Sequence, residues 1–244
     1  MHALLLAAVF FAGLAGAVTA QDPLETDVLP TSAGDLTITF VGHASLVFAF
    51  NGKVFHIDPY GRLADYTKLP KADAILLTHD HTDHLDAITV QQLRTTNTVI
   101  LLTAACAERV RGGIVMTNGA VRTVMGVRIE AVPAYNIVHT RGDGMPFHPK
   151  GIGNGYILGF GDKRVYVAGD TENTPEMKAL TGIDVAFLPM NLPYTMTPEM
   201  VADAARAFRP KILYPYHYGE TDTSTITRLL KDEPQIEVRI RRMK

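Results

Sequence analysis

Hydrophobic residues recur in short runs that are separated by glycine-rich turns. The segments "DLTITFVG" and "ASLVFAF" alternate or run apolar, and a third run, "KVFHID", follows the pair Asn51 and Gly52. Such a pair between two apolar runs is typical of a β-hairpin turn. In the second half, "GD" at 161–162 separates "GNGYILGF" from "KRVYVAG" in the same way. The pattern predicts antiparallel hairpins in both halves of the chain.

Longer apolar runs alternate with helical patterns around these hairpins. Buried strands are predicted at 72–78 and 98–103, further strands at 184–190, 211–216 and 236–241, and two strands joined at Gly126 within 121–134. Helices are predicted at 85–94, 105–110, 197–208 and 224–232. Hairpins mixed with strand–helix units predict an α/β fold, a four-layer αββα sandwich of two mixed β-sheets flanked by helices.

The first twenty residues form a separate segment. "MHALLLAAVFFAGLAGAVTA" contains no Lys, Arg, Asp or Glu, and its apolar centre ends in small residues up to Ala20. This pattern is typical of a secretory signal peptide cleaved after Ala20, which predicts a periplasmic or secreted protein. An uncleaved membrane anchor is the alternative, since the run approaches spanning length. The expected organisation is a signal peptide at 1–20, a linker at 21–34 and one domain over 35–244.

Composition narrows the classes of partner. The 244 residues are 47% hydrophobic and carry a net charge of -2, which suits one domain with a sizeable core. A near-neutral balance argues against a nucleic-acid partner, and the oligomeric state stays open. The basic tail "RIRRMK", from Arg239, is predicted to be a solvated terminus. Cys106 is the only cysteine, so no intrachain disulfide can form.

The segment "LLTHDHTDHLD", Leu76–Asp86, holds the densest group of potential metal ligands. Two histidines at i and i+2 on an extended turn point to the same side, so His79 and His81 can share one metal ion. Asp83 and His84 follow and can face a second ion. Imidazole and carboxylate groups suit zinc, iron or manganese. A solvated polar loop is the alternative, but solubility alone requires none of these side chains.

The pattern His-x-His-x-Asp-His after an apolar strand resembles the signature of the metallo-β-lactamase fold hydrolases, and the resemblance spans about residues 35 to 220. The family has a later histidine, a bridging aspartate at a strand end and a final histidine. "VYVAGDT" offers Asp170 for the bridge, and "ILYPYHYGE" offers His217. His139 and His148 both lie in the loop before the next strand. His148 is preferred because "FHPKG" directly precedes the glycine-rich start of that strand.

The resemblance implies a dinuclear site. One divalent ion would be held by His79, His81 and His148, the other by Asp83, His84 and His217, with Asp170 bridging both. The ions would be zinc, with manganese or iron as alternatives, and a hydroxide between them would attack the substrate. Asp83 is also implied as a catalytic proton carrier.

Two further positions match the family pattern. Asp58 in "HIDPY" corresponds to an aspartate that orients the ligands through hydrogen bonds. His43 in "VGHAS" resembles the start of the phospholipase-type and sugar-phosphate-lactonase-type relatives, where this histidine lies near the metals and is a catalytic candidate. A structural histidine at a turn is the alternative for His43.

The implied activity is hydrolysis of an ester-type bond, a phosphodiester, lactone or thioester, in a small molecule. A true β-lactamase is disfavoured, because the best-known members lack a bridging carboxylate and many use a cysteine, for which Cys106 is out of order. An iron-dependent redox enzyme on the same fold is the second alternative, although no flavin or thiol partner is apparent. A non-catalytic metal-binding protein is the third.

The loops before His148 and around "NLPYTMT" are predicted to line the substrate pocket. Phe147, Tyr135 and Tyr194 are candidates for its apolar walls, although aromatic residues are more often core residues. Lys150 is a candidate for attracting an anionic group, and an ordinary surface lysine is an equal alternative.

Overall fold

The computed structural model describes residues 23–244, and two seven-stranded β-sheets organise this part of the chain. The predicted signal peptide lies outside the described residues. The first sheet contains, in spatial order, β1 (Glu25–Thr31), β2 (Gly34–Gly42), β3 (Ser45–Phe50), β4 (Lys53–Ile57), β5 (Ala74–Leu76), β6 (Val99–Leu102) and β7 (Ile114–Val115). The second contains β8 (Val121–Val124), β9 (Val127–Ala134), β10 (Gly153–Phe160), β11 (Lys163–Val167), β12 (Val185–Pro189), β13 (Ile212–Tyr216) and β14 (Glu237–Val238).

Helices cover the outer face of each sheet. On the first sheet, α1 (Ala87–Leu93) and α2 (Ala104–Ala107) bury a cluster around Leu77 and Leu93. On the second, α3 (Pro175–Lys178), α4 (Pro198–Phe208) and α5 (Ser224–Leu229) bury a larger one. A third cluster, rich in phenylalanine, fills the space between the sheets. The predicted four-layer αββα sandwich is therefore confirmed. No helix within residues 23–244 is both long and apolar enough to cross a membrane.

Both sheets are mixed, as predicted. The strands β1–β4 and β8–β11 pair antiparallel, whereas β4–β7 and β11–β14 pair parallel. Because the carboxyl ends of parallel strands meet at one edge, the loops after β4, β5, β11 and β13 open at the edges of their sheets where ligands bind in α/β folds. The loops after β5, β11 and β13 carry six of the seven predicted metal ligands, the loop after β4 carries Asp58, and His148 lies in the loop between β9 and β10.

The predicted linker at 21–34 is wrong for residues 25–31. They form β1, which pairs with β2 from Glu25 opposite Phe40 to Thr31 opposite Gly34. Its sequence, "ETDVLPT", is polar because an edge strand needs pairing on one side only and keeps much of its surface in water. A short polar strand of this kind has no apolar alternation from which to predict it.

The prediction of a solvated C-terminal tail is also wrong. Arg241 donates two hydrogen bonds of 2.7 Å from Nη2 to the carboxylate of Asp27, and Arg239 lies 3.4 Å from the same carboxylate. The hydroxyl of Tyr214 donates to Asp27 as well. We call Asp27, Tyr214, Arg239 and Arg241 the Asp27 cluster. It fastens the tail to β1, and Met243 beyond it is fully buried.

Candidate metal centre

The ligand-rich loop is held at both ends. Strand β5 is buried throughout, so the chain leaves the sheet at Leu76 and must turn before α1. Asp86 caps α1 by accepting a 3.0 Å hydrogen bond from the Ile88 amide. Arg109 reaches back from beyond α2 and donates to the carbonyl oxygens of Asp80, at 2.6 Å, and Leu85, at 3.2 Å. The loop is thus fixed largely through its backbone, and Nε2 of His79 and His84 keeps no hydrogen-bond partner among the described residues.

All seven predicted ligands come together at the edge between the sheets. They form two groups, and within each group one potential ligand atom per residue lies within 4.8 Å of all the others. The first group is His79, His81, His148 and Asp170, and the second is His43, Asp83, His84 and His217. The grouping matches the predicted division, with His43 added to the second group.

Asp170 lies between the two groups. Its Oδ1 is 3.4 Å from Nε2 of His84, in the second group. Its Oδ2 is 3.3 Å from Nε2 of His148, in the first group, and 3.5 Å from Nε2 of His217, in the second. One carboxylate thus faces histidines of both groups, which is the position that a bridging ligand requires.

Gly169 allows this position. It has φ +66°, and a Cβ atom there would lie 2.8 Å from the carbonyl oxygen of Asn154. Any other residue would therefore be strained and would push Asn154 and β10 away. The tight turn directs Asp170 into the centre immediately after β11.

Four potential metal-ligand atoms at the centre have no hydrogen-bond partner among the described residues, and this tests whether the residues fit a metal. Within residues 23–244, seven buried side-chain nitrogen or oxygen atoms have no hydrogen-bond partner. Four of the seven converge here: Nε2 of His79, His84 and His217, and Oδ1 of Asp170. Buried polar atoms are seldom left unpaired, so such a concentration indicates a missing cationic partner. Imidazole nitrogens and a carboxylate fit a divalent metal ion.

Asp58 orients two of these histidines. Its carboxylate accepts hydrogen bonds from Nδ1 of His84 at 2.9 Å and from the Thr78 hydroxyl at 2.5 Å. Thr78 in turn accepts from Nδ1 of His79 at 3.0 Å. With Nδ1 protonated in each ring, Nε2 keeps its lone pair for a metal. Asp58 therefore lies where its predicted orienting role requires.

The structure shows which of His148 and His139 lies among the potential metal ligands. His148 lies in the first group, its Nε2 3.3 Å from Nδ1 of His81, and its Nδ1 donates to Oδ1 of Asn136 at 2.6 Å. His139 lies outside both groups, and its Nδ1 is paired with Glu172 at 2.7 Å. The preference for His148 thus agrees with the geometry. Asn136, which orients His148, was missed by the sequence analysis.

Glu172 was also missed. Its side chain is fully buried, yet the carboxylate accepts 2.7 Å hydrogen bonds from the amides of Ile137, Val138 and His139, and a 3.0 Å bond from Nδ2 of Asn136. Burial raises the pKa of Glu172, but these donors outweigh it and hold the pKa below its usual value. We call this arrangement the Glu172 clamp. Nothing in "GDTENTP" distinguishes Glu172 from a surface glutamate, so the sequence offered no signal for it.

His43 contacts the second group at close range. Its Nε2 lies 3.0 Å from Oδ2 of Asp83, and its ring centroid is 3.7 Å from that of His217. Burial, together with His217 and His84, lowers the pKa of His43, although the contact with Asp83 raises it. Burial also raises the pKa of Asp83, but His217 and His43 outweigh it and hold that carboxyl well below its usual range. Asp83 is thus an anion at neutral pH, as a metal ligand must be.

Three residues of the centre have strained backbones. His43, Asp58 and His217 have φ values of +51°, +42° and +47°, in the left-handed region that residues other than glycine seldom adopt. Each such residue costs on the order of 1 kcal/mol and persists only where surrounding contacts require it. Here the strain coincides with the predicted site.

Two adjoining cavities, of about 160 and 600 Å³, open over the centre. The larger is lined by Phe147 and Tyr194, whose ring centroids are 5.1 Å apart, so both are wall residues as predicted. Tyr135 is 8% exposed and lines neither cavity, so the core alternative applies to it. Lys150 is paired with Glu176 at 2.7 Å. Arg141, which the sequence analysis did not single out, lines both cavities.

Comparison with known proteins agrees with this geometry. A family model described as a Beta-lactamase superfamily domain matches residues 37–217. A UPF0173 metal-dependent hydrolase of Pelotomaculum thermopropionicum is 30% identical over 223 residues, which cover 84% of this chain and 96% of that protein.

Solved structures give the same picture. A crystal structure from Parabacteroides distasonis, of a protein provisionally named a metal-dependent hydrolase, is 46% identical and covers 91% of this chain and 100% of its own, with a TM-score of 0.87. Igni18, a metallo hydrolase of Ignicoccus hospitalis, is 25% identical, with a TM-score of 0.70 over 85% of this chain and 95% of its own. The match to the family model over most of the chain, together with the likeness to these hydrolases, shows that the protein belongs to the metallo-β-lactamase superfamily and is a metal-dependent hydrolase.

Proposed function

We propose that the protein hydrolyses an ester-type bond, in a phosphodiester, lactone or thioester, with two divalent metal ions held by the seven ligands. The observation that carries the proposal is the convergence of four unpaired buried donor atoms around Asp170. When bound, such ions would acidify a water molecule and neutralise the negative charge that develops on the substrate. The ions proposed are zinc, because imidazole and carboxylate donors suit it, with manganese and iron as alternatives.

The chain's own residues would orient the ligands and move the proton. Asp58 holds His84 directly and His79 through Thr78, with Nε2 of both rings facing the centre. Hydrolysis adds the elements of water across the bond, so the leaving oxygen or sulfur needs a proton. Asp83 and His43, 3.0 Å apart at the floor of the larger cavity, are the groups placed to carry it.

Metal content is the first test. Protein purified without added metal should contain about two zinc or manganese ions per chain by elemental analysis. One iron ion per chain would favour the redox alternative and lead to oxygen-uptake assays. No metal, and none taken up on addition, would refute the proposed centre.

A substrate panel is the second test. Bis(4-nitrophenyl) phosphate, γ-nonalactone and an S-acyl thioester represent the three bond types. We expect metal-dependent hydrolysis of at least one of them, lost on chelation and restored by added zinc or manganese. Failure with all three by fully loaded protein would argue against ester-type chemistry.

Export is a separate proposal that rests on the N-terminal sequence alone. If the signal peptide is cleaved after Ala20, the mature protein from the periplasm or medium begins at Gln21, with no membrane anchor. Intact-mass measurement tests this, and a full-length chain in the membrane fraction would support the anchor instead.

A further inference from the structure

Among residues 23–244, Arg141 is the one arginine or lysine that lines the cavities over the centre. Its side chain makes a single hydrogen bond in this part of the chain, from Nη2 to the carbonyl oxygen of Phe147 at 3.1 Å. No described carboxylate pairs with it, in contrast to Lys150, which is neutralised by Glu176. A guanidinium with most of its donors free at a cavity mouth is suited to bind an acid group.

The charges around the cavities favour an anion. The acidic residues that line them are Asp80, Asp83 and Asp170. In the proposed function, the positive charge of two divalent ions exceeds the negative charge of Asp83 and Asp170. Among the acidic residues that line the cavities, only Asp80 then remains to offset the charge of Arg141. The cavity is then positive overall, which attracts and orients anionic ligands.

The loops around the cavities expose apolar side chains. Of the thirteen large hydrophobic residues that are exposed within residues 23–244, six lie in the loops on either side of the larger cavity: Ile137 (53%), Val138 (66%), Met145 (56%), Ile152 (47%), Leu192 (46%) and Tyr194 (46%). A hydrogen bond from Nδ2 of Asn136 to the Tyr194 carbonyl oxygen, 2.9 Å, joins the two loops. Clustered exposure of this kind marks a surface that binds apolar groups.

We propose that the substrate is an amphiphilic anion, whose carboxylate or phosphate group binds Arg141 and whose apolar part lies against Phe147, Tyr194 and Ile152. This inference rests on the proposed function, because it places the scissile bond over the metal centre. Arg141 is then a specificity-determining residue, distinct from the ligands and from the proton-carrying pair.

Binding of small probes tests the inference without turnover. Phenylphosphonate and phenylacetate carry the same ring on different acid groups, and benzyl alcohol is a neutral counterpart. With zinc-loaded protein in a calorimeter, Arg141→Gln should weaken binding of at least one acid about 10- to 100-fold and leave benzyl alcohol unchanged. The probe whose binding weakens in Arg141→Gln shows whether Arg141 recognises a phosphonate-type or a carboxylate group. Glutamine is chosen because its amide can still donate to the Phe147 carbonyl.

Two control variants separate charge recognition from general effects. Arg122 lies on β8, exposed and outside both cavities, so Arg122→Gln makes the same change in net charge and should leave binding unchanged. Arg141→Lys keeps the positive charge but loses the planar guanidinium, which can donate two parallel hydrogen bonds, and should give an intermediate affinity. Equal affinity of wild type and Arg141→Gln for both acids would overturn the inference, and so would failure of the wild type to bind either acid.

Kinetics distinguish failure of the inference from failure of the proposed function. The esters 4-nitrophenyl butyrate and mono-4-nitrophenyl glutarate differ by one terminal carboxylate. Arg141→Gln should raise KM for the glutarate about tenfold, with kcat within about threefold, and leave the butyrate unaffected. Arg141-dependent binding without hydrolysis of any ester-type probe would refute the function and keep the anion site. Hydrolysis of both esters without dependence on Arg141 would refute the inference alone.

Discussion

The metal centre and the Asp27 cluster are both built around a poorly exposed carboxylate, but their partners differ. Asp27 is paired with two arginines and a tyrosine, so its charge is balanced within the protein. Asp170 faces His84 and His217, whose Nε2 atoms have no hydrogen-bond partner among residues 23–244. A satisfied cluster stabilises the fold by itself, whereas an unsatisfied one is stable only with a further cation.

The difference separates structural from functional carboxylates without reference to any relative. Burial raises the pKa of both groups, but Tyr214 and Arg241 beside Asp27, and His217 and His84 beside Asp170, outweigh it and lower the pKa. The pKa shift therefore does not distinguish them. Unpaired metal-ligand atoms do distinguish them, and four comparisons between variants test this distinction.

The largest effect is expected for Asp170→Asn. Removing the bridging charge should lose about one metal ion per chain and reduce kcat/KM about 10³-fold or more, because the ions supply several kcal/mol of charge stabilisation. Circular dichroism should show the fold retained. The matched variant Asp27→Asn should keep both ions. Two bound ions and normal turnover in Asp170→Asn would refute the assignment of the bridge.

The next largest effect is expected for Asp58→Asn. An amide nitrogen placed against Thr78 or His84 cannot accept their hydrogen bonds, so metal affinity should fall about 10- to 100-fold. Competition with a chromophoric chelator measures it. Asp73→Asn is the control, since Asp73 accepts from the Val54 amide and Lys53 away from the centre. Equal affinities in the two variants would mean that Asp58 does not orient the ligands.

The third comparison is between alanine variants of two histidines in one loop, His148 and His139. His148→Ala should weaken the first metal site and abolish most activity. His139→Ala should change kcat/KM only a few-fold, because His139 contacts Glu172 and no ligand. Metal content and steady-state rates, measured side by side, test this. A greater loss of metal from His139→Ala would reverse the assignment of the third histidine.

Asp27→Asn is expected to have the smallest effect on the metal centre. Its main effect is on the stability of the fold, and that effect depends on pH. At neutral pH it should lower the free energy of unfolding by about 2 kcal/mol, the scale of a hydrogen bond to a charged group. The pKa of Asp27 is lowered by folding, so its contribution is present above the unfolded value, near 4, and is lost as the pH falls through the folded value. The difference in unfolding free energy between Asp27→Asn and wild type should therefore close below about pH 4. Denaturant unfolding at pH 7 and pH 3 measures it, and a constant gap would contradict the ion-pair account.

Sequence patterns predicted the parts of the site that are local. Asp83 and the three histidines of "LLTHDHTDHLD" lie within one loop, and the buried strand before them is evident from its composition. The order of the family pattern then led to Asp170 and His217, each at the end of an apolar strand. The αββα layering followed from hairpins and strand–helix units alone.

What sequence patterns missed depends on contacts between distant segments. Asp27 and Arg241 are 214 positions apart, so neither the polar strand nor the basic tail carried a local sign of its partner. Asn136, Glu172 and Arg141 are ordinary polar residues in loops, and only folding places them against His148 and the cavities. Long-range pairing leaves no periodicity from which to predict it.

The Glu172 clamp has a consequence for how specificity can change. It holds Ile137 and Val138 through their main-chain amides, which every residue except proline provides. Their side chains project into solvent and can be replaced without disturbing the loop or the asparagine that orients His148. Substitutions at these positions, other than proline, can therefore change the apolar surface beside the larger cavity with little loss of stability and with metal binding intact.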